Sequence, residues 1–191
     1  MKNNKFPIEL ICSKDQLLPS MNGVYIDNGY AVATDGHALV IMNLADMDME
    51  CLGKLEGKII KAELFKKINA RKLSLAVTDS GQINIDGDII GNAFIKEKFP
   101  DYRRVLGSEY KEVEIIGLDA ENLVRIQKAF NTKNLALSFS GNNRAINILP
   151  MAELNLDFRA ICMPFMCVDR KGNYMKPFTI SAPACKELQS A

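Results

Sequence analysis

One pattern limits the architecture of this 191-residue chain more than any other. At intervals of roughly 50 residues a short apolar run, a helix-compatible stretch and several alternating runs recur, split by Gly, Asn and Asp turns. The middle copy is the clearest. Lys58-Ile59-Ile60 reads as a short strand, and Lys61 to Ala70 then has helical spacing. Leu64, Phe65 and Ile68 fall on one face there, with Lys61, Lys66 and Lys67 largely on the other. Lys72 to Thr78 and Gln82 to Asp86 alternate with period two across an Asp79-Ser80-Gly81 turn, and a third run, Ile89 to Ile95, follows Asp86-Gly87-Asp88. The result is a βαβββ unit.

The third copy repeats it. Glu112 to Ile116 reads as a strand, and Asp119 as the N-cap of a helix from Ala120 to Phe130, with Leu123, Val124, Ile126, Ala129 and Phe130 available for its buried side. Leu135 to Ser140, Ala145 to Leu149 and Phe158 to Pro164 supply three strands, the first two joined at Gly141-Asn142-Asn143. In the first copy Ile8 to Cys12 reads as a strand, but Lys14 to Met21 is too short for a full helix and holds Pro19. Gly23 to Ile26, Tyr30 to Thr34 and Ala38 to Asn43 then form strands, the first pair across Asp27-Asn28-Gly29. Ala45 to Gly57, acidic and with two glycines, reads as a linker. The expected organisation is α+β: residues 1–107 as two units, 108–167 as a third, and 168–191 as a C-terminal extension. Sheets form one layer and amphipathic helices cover the opposite face.

Several functions are excluded or disfavoured by composition. A formal net charge of +1 provides no global attraction to nucleic acid, so any such contact must come from a local basic face. No stretch approaches the roughly 20 apolar residues of a membrane span, and the start does not read as a secretory signal, so the cytoplasm is the expected location. The cysteines Cys12, Cys51, Cys162, Cys167 and Cys185 are scattered without a CxxC pair, and His37 is the single histidine. Thiols in a reducing compartment therefore fit better than a zinc site, and no metal or cofactor is expected. Asp46, Asp48 and Glu50 form an acidic cluster, but in a stretch that reads as a solvated loop with nothing to orient it. No nucleophile motif accompanies His37. An enzyme is not expected.

Three short strings are more specific. Ala33-Thr34-Asp35-Gly36-His37-Ala38-Leu39 places a turn dipeptide after a strand, with Gly36 suited to a positive φ and His37 suited to a backbone-bonded turn position. In Phe99-Pro100-Asp101-Tyr102-Arg103-Arg104-Val105-Leu106, a strand ends at Phe99-Pro100, and Asp101 can pair locally with Arg103 and Arg104. Ile161-Cys162-Met163-Pro164-Phe165 ends the last strand, with adaptable methionines at Met163 and Met166. These strings resemble, in order, the ATDGHRL, FPDYRRVLP and MPM-type signatures of the bacterial DNA polymerase III beta subunit (DNA sliding clamp) family, across roughly Met21 to Met166.

That resemblance implies a DNA-clamp-like fold of about three βαβββ units, and a hydrophobic pocket for the clamp-binding peptides of polymerase, clamp loader and repair proteins. Carried over by motif, the first string and its approach would contribute Met21, Thr34, Gly36, His37 and Leu39. The second would contribute Pro100, Arg104 and Val105, and the third Ile161, Met163, Pro164 and Phe165. Ala38 stands where the family has Arg, which removes a long side chain from the pocket wall. The resemblance also implies double-stranded DNA held without sequence specificity by helix cations: Lys61, Lys66, Lys67, Arg71 and Lys72 near the first helix, and Arg125, Lys128 and Lys133 near the second. Against that stands the reading of each cluster as a solvated helix face.

A family clamp chain has three domains of two units each, so this chain corresponds to a shortened form without the N-terminal domain. Four three-unit copies would supply the twelve units of the family's ring as a homo-oligomer. The alternative is a monomeric adaptor or decoy that takes the peptides without encircling DNA.

Overall fold

Two tight turns set the registers from which the rest of the molecule grows. Asn28 and Gly29 take φ of 49° and 79° between the paired residues Asp27 and Tyr30, the two-residue hairpin that Asn-Gly favours. Asp86 and Gly87 do the same, at 53° and 98°, between Ile85 and Asp88. The structure is a computed structural model and describes residues 6–70, 74–106, 110–113, 115–141, 144–151 and 158–167.

Among the described residues, eleven strands and two α-helices follow in the order β1 Gly23–Asp27, β2 Tyr30–Thr34, β3 Ala38–Asn43, β4 Ile59–Lys61, α1 Ala62–Ala70, β5 Leu75–Val77, β6 Ile83–Ile85, β7 Asp88–Ile89, β8 Phe94–Ile95, α2 Ala120–Ala129, β9 Leu135–Ser138, β10 Ile146–Pro150 and β11 Phe158–Cys162. Eight of them form one antiparallel sheet in the order β8-β4-β1-β2-β3-β11-β10-β9. A second sheet is β5-β6-β7. Strand β3 pairs β11 over five residues, from Ala38↔Cys162 to Met42↔Phe158, so the sheet runs unbroken from the first repeat into the third.

Alternation along these strands sorts their side chains onto two faces. Val24, Ile26, Ala31, Ala33, Val40, Met42, Ile60, Ile146, Ile148 and Ala160 point to one face, where they pack with Phe65 and Ile68 of α1 and with Ile126 and Ala129 of α2. Both helices therefore cover the same side of the sheet, α1 over β1 and β4, α2 over β3 and β11. The N-terminus of α2 is capped as the sequence predicts: Asp119 Oδ1 accepts the Glu121 N–H at 2.8 Å. The other face carries a smaller cluster of Val32, Leu39, Ile41, Ile59, Phe99 and Ile161.

Several expected elements take another form. Ile8–Ile11 is a 3-10 turn, not a strand. It lies between α1 and α2 against β1, β2 and β3, in the layer where the first repeat lacks a helix, and buries Ile8 and Ile11 completely. Ala45 to Gly57 is not a linker. It folds as 3-10 turns at Ala45–Met47 and Glu50–Leu55, because Met47, Met49, Leu52 and Leu55 all bury into the main core. Ile89 to Ile95 is not one strand: β7 ends at Ile89 in the small sheet, and β8 begins at Phe94 at the edge of the large one. In the run Glu112 to Ile116 no strand forms among the described residues; its neighbour Gly117 makes an isolated bridge to Phe165. On α2 it is Asn122, not Val124, that turns inward, leaving Val124 43% exposed. The expected turn at Asn142-Asn143 and the extension 168–191 lie outside the described residues.

Candidate functional site

The three strings meet on the sheet face opposite the helices. Thr34 pairs Leu39 across β2 and β3, and Leu39 pairs Ile161 across β3 and β11, so all three stand in one cross-strand row. The turn between Thr34 and Leu39 is locked by its own side chains. Thr34 Oγ1 donates to the Ala38 carbonyl at 2.8 Å and accepts the Gly36 N–H at 3.1 Å. Asp35 Oδ1 accepts the N–H groups of His37 and Ala38 at 2.9 and 2.8 Å, and Gly36 takes the expected positive φ, 89°.

Arg125 of α2 reaches this turn from below. Its Nη1 donates to Asp35 Oδ2 at 2.5 Å and to Asn122 Oδ1 at 3.0 Å, while Nε and Nη2 donate to the carbonyls of Leu10 and Ile11, each at 3.0 Å. Burial alone pushes the Asp35 carboxyl upward. The donors from Ala38, Arg125 and His37 outweigh it and hold that carboxyl below its ordinary range.

The Phe99–Leu106 segment lies across the same face. Phe99 stacks on Tyr25 with centroids 4.7 Å apart and meets Tyr102 edge-on at 6.4 Å. Asp27, buried at the end of β1, anchors the segment: its Oδ2 accepts the Tyr102 hydroxyl and the Arg103 guanidinium, both at 2.5 Å. Burial raises the Asp27 carboxyl, and the bonds from Tyr102 and Arg103 bring it below its usual value. Burial and the facing carboxylate push the Tyr102 phenol well up. Of the two arginines expected to pair with Asp101, Arg104 does so at 2.9 Å, whereas Arg103 turns to Asp27 and lies 5.2 Å over the Tyr102 ring.

The expected pocket residues are therefore unevenly gathered. Thr34, Leu39 and Ile161 form the row and are buried, at 7%, 3% and 1% exposure. Gly36 and His37 are exposed at its end, where the Met163 N–H donates to the His37 carbonyl at 2.7 Å. Pro100, Arg104 and Val105 lie exposed on the overlying segment. Met21, half-buried, closes the 3-10 turn before β1. Past the half-buried Pro164 the chain leaves the row: Phe165 pairs with Gly117, its N–H donating to the Gly117 carbonyl at 3.0 Å.

An open volume on this face lies one side-chain pair along from the row. A cavity of about 290 Å³ is lined by Asp27, Asn28, Tyr30, Ile41, Tyr102, Arg103, Leu106, Phe158 and Arg159, none of them among the twelve expected pocket residues. Tyr102, Arg103 and Leu106 belong to the second string, so that signal was present in the sequence. Tyr30, Ile41 and Arg159 carried none, because only strand pairing brings them there.

The expected DNA-facing cations divide in the same way. Lys66 and Lys67 on α1, and Lys128 and Lys133 on and after α2, are exposed on the helical side. Lys61 does not belong with them: it ends β4, where strand alternation places it on the side of Ile59, away from the helices. Nor is Arg125 a free cation, since all its described donors are engaged within the fold. Arg71 and Lys72 lie outside the described residues. No helix of the described residues is long and apolar enough to cross a membrane, and no metal-competent cluster of His, Cys, Asp or Glu occurs among them.

No family model matches the sequence, and no curated protein does. Solved structures do match the fold. The β sliding clamp of C. crescentus superposes with a TM-score of 0.61 at 14% identity, over 85% of this chain and 64% of that one. The DNA polymerase III β subunits of Thermotoga maritima and Pseudomonas aeruginosa give 0.59 and 0.60 at 13% and 14% identity, covering 84% and 86% of this chain and 62% and 64% of theirs. This chain thus spans less than two thirds of the length of each, and its fold is that of the bacterial DNA polymerase III β sliding clamps.

Proposed function

We propose that this protein is a sliding-clamp-like replication accessory module without catalysis of its own. It seats clamp-binding peptides of polymerases, clamp loaders or repair proteins on the sheet face, beside the row Thr34, Leu39 and Ile161. The observation that supports this reading most directly is the convergence itself. Strings separated widely in sequence share one face, and Asp27 holds the second of them across it. A peptide's apolar anchors would meet Val105, Met163 and Pro100 at the rim, with the His37 turn fixing direction. Ala38 is buried in the helix-facing core, on the other side of β3 from Leu39, so the Arg expected there does not shape this rim.

Double-stranded DNA is the second ligand of this reading, held on the helical face by Lys66, Lys67, Lys128 and Lys133 through phosphate contacts. One observation favours the alternative, a monomeric adaptor or decoy that binds peptide alone. The helical face carries Glu63 and Glu121 among its exposed residues, and Arg125 is withdrawn from it.

Fluorescence polarisation with a labelled clamp-binding peptide, then with a labelled duplex at 50 and 200 mM salt, separates the two. Peptide binding weakened by Val105→Glu and His37→Ala, with salt-sensitive duplex binding, supports the clamp-like module. Peptide binding without duplex binding, from a sedimenting monomer, supports the adaptor. Failure to bind peptide overturns both.

A further inference from the structure

We infer that the cavity beside the row is a second binding site, for a peptide segment that joins an apolar side chain to a carboxylate. At about 290 Å³ it sits at the lower end of the range for ligand sites, which suits one or two residues. Its floor is apolar: Ile41 from β3, with Tyr30 beside it, and Leu106 and Tyr102 from the overlying segment. Its charged groups are unequal. Asp27 is already paired through Oδ2 with the Arg103 guanidinium and the Tyr102 hydroxyl, which offsets its pull on a ligand cation. Glu56, behind Asn28, is likewise engaged, both oxygens accepting the Asn28 N–H at 2.9 and 2.8 Å.

Arg159 is different. It lines the cavity from β11 opposite Ile41, is exposed, and has no acidic partner among the described residues. A guanidinium lining an apolar cavity, with the described carboxylates Asp27 and Glu56 already bonded, selects an anion on an apolar body. The site is separate from the row: Ile41 stands two residues from Leu39 on the same face, and Arg159 two from Ile161. It stands whether or not a clamp-binding peptide docks at Thr34, Leu39 and Ile161.

The test uses the full chain with methyl-labelled isoleucine and three probes: acetyl-Leu-Phe with a free carboxylate, acetyl-Leu-Phe amide, and acetyl-Phe-Asp amide. The Ile41 methyl should shift with a carboxylate-bearing probe, and the uncharged amide should bind about tenfold more weakly. A response to the first probe alone identifies a main-chain carboxylate as the ligand group, and a response to the third alone a side-chain one. Arg159→Gln, a surface change whose melting temperature should match the parent, should bring the acid's affinity down to that of the amide. Equal affinity for acid and amide, an Ile41 methyl unmoved by every probe, or full acid affinity in Arg159→Gln would each overturn the proposal. Peptide docking at the row is read separately, on the His37 and Met163 amides.

Discussion

Arg125 on α2 and Asp35 in the turn between β2 and β3 form an ion pair that ties the helical layer to the turn leading into the Thr34, Leu39 and Ile161 row. The Arg125 fork also closes the carbonyls of Leu10 and Ile11, which end the 3-10 turn packed between the two helices. Its side chain is 28% exposed and that of Asp35 14%, so removing either partner strands polar groups that solvent reaches poorly. Arg125→Ala should lower unfolding stability by about 2 kcal/mol in urea titrations. Arg125→Lys should not restore it, because one ammonium cannot reproduce a fork reaching two carbonyls and a carboxylate. A double-mutant cycle with Asp35→Ala should give a coupling energy of at least about 0.5 kcal/mol; strict additivity would mean the pair contributes nothing.

Acid sensitivity follows from Asp27 and Asp35 together. Both carboxyls are held below their ordinary value in the folded protein. A depressed folded value means that the unfolded chain takes up protons first. The stabilisation is therefore complete above the unfolded value of about 3.9, and is lost as pH falls through the lower folded values. Stability measured by urea titration should be flat in this respect from pH 7 to about 5, then fall steeply below about 4. Asp27→Asn and Asp35→Asn should each be less stable at pH 7 and show a shallower acid limb. A mutant limb as steep as the parent's would assign the acid loss to other carboxylates.

Local signals in the sequence match the fold where a turn or a cap fixes them. Asn28-Gly29 placed β1 and β2, Tyr30–Thr34 and Ala38–Asn43 coincide with the expected strands, and Asp119 marked the start of α2. Elements whose form depends on distant partners were not legible. An apolar run such as Ile8 to Cys12 suits a strand or a buried turn equally, and the layer left open between α1 and α2 decides it. In Ala45 to Gly57 the acidic residues and glycines obscured an apolar set, Met47, Met49, Leu52 and Leu55, that the core requires. Of the residues expected at a pocket, Thr34, Leu39 and Ile161 come together in one cross-strand row. The cavity over Ile41 and Arg159 exists because β3 pairs β11, a contact no local pattern announces.

Gly117 is a position where close approach excludes any side chain. A Cβ there would lie 2.6 and 2.8 Å from Phe165 ring carbons and 2.8 Å from the Phe165 carbonyl oxygen. Gly117→Ala should push Phe165 away and break its N–H bond to the Gly117 carbonyl, at a cost of about 1–3 kcal/mol. The Phe165 amide should then exchange faster with solvent while α2 keeps its protection. A crystal structure of Gly117→Ala with the Phe165 bridge intact would refute this.

The thiols give a chemical readout of the same packing. Cys12 is buried at the end of the 3-10 turn, and burial, with Glu9 nearby, pushes its thiol up to about 12. Cys162 ends β11 against the core, where burial, with Asp119 and Asp35, pushes it to about 11. The thiolate is the reacting species, so at pH 8 both should be nearly inert toward an aromatic disulfide in the native protein, doubly protected by burial and by protonation. Cys51 is half-buried and raised chiefly by burial, so it should react slowly but measurably. In urea past the unfolding midpoint, Cys12 and Cys162 should react at the rate of free cysteine. Arg125→Ala, which loosens the turn ending at Cys12, should raise the native-state labelling of Cys12 by about the factor its stability loss implies, roughly 30-fold for 2 kcal/mol. Mass spectrometry of the labelled peptides checks this site by site. Rapid labelling of Cys12 in the unmutated native protein would show that the turn between α1 and α2 opens without global unfolding.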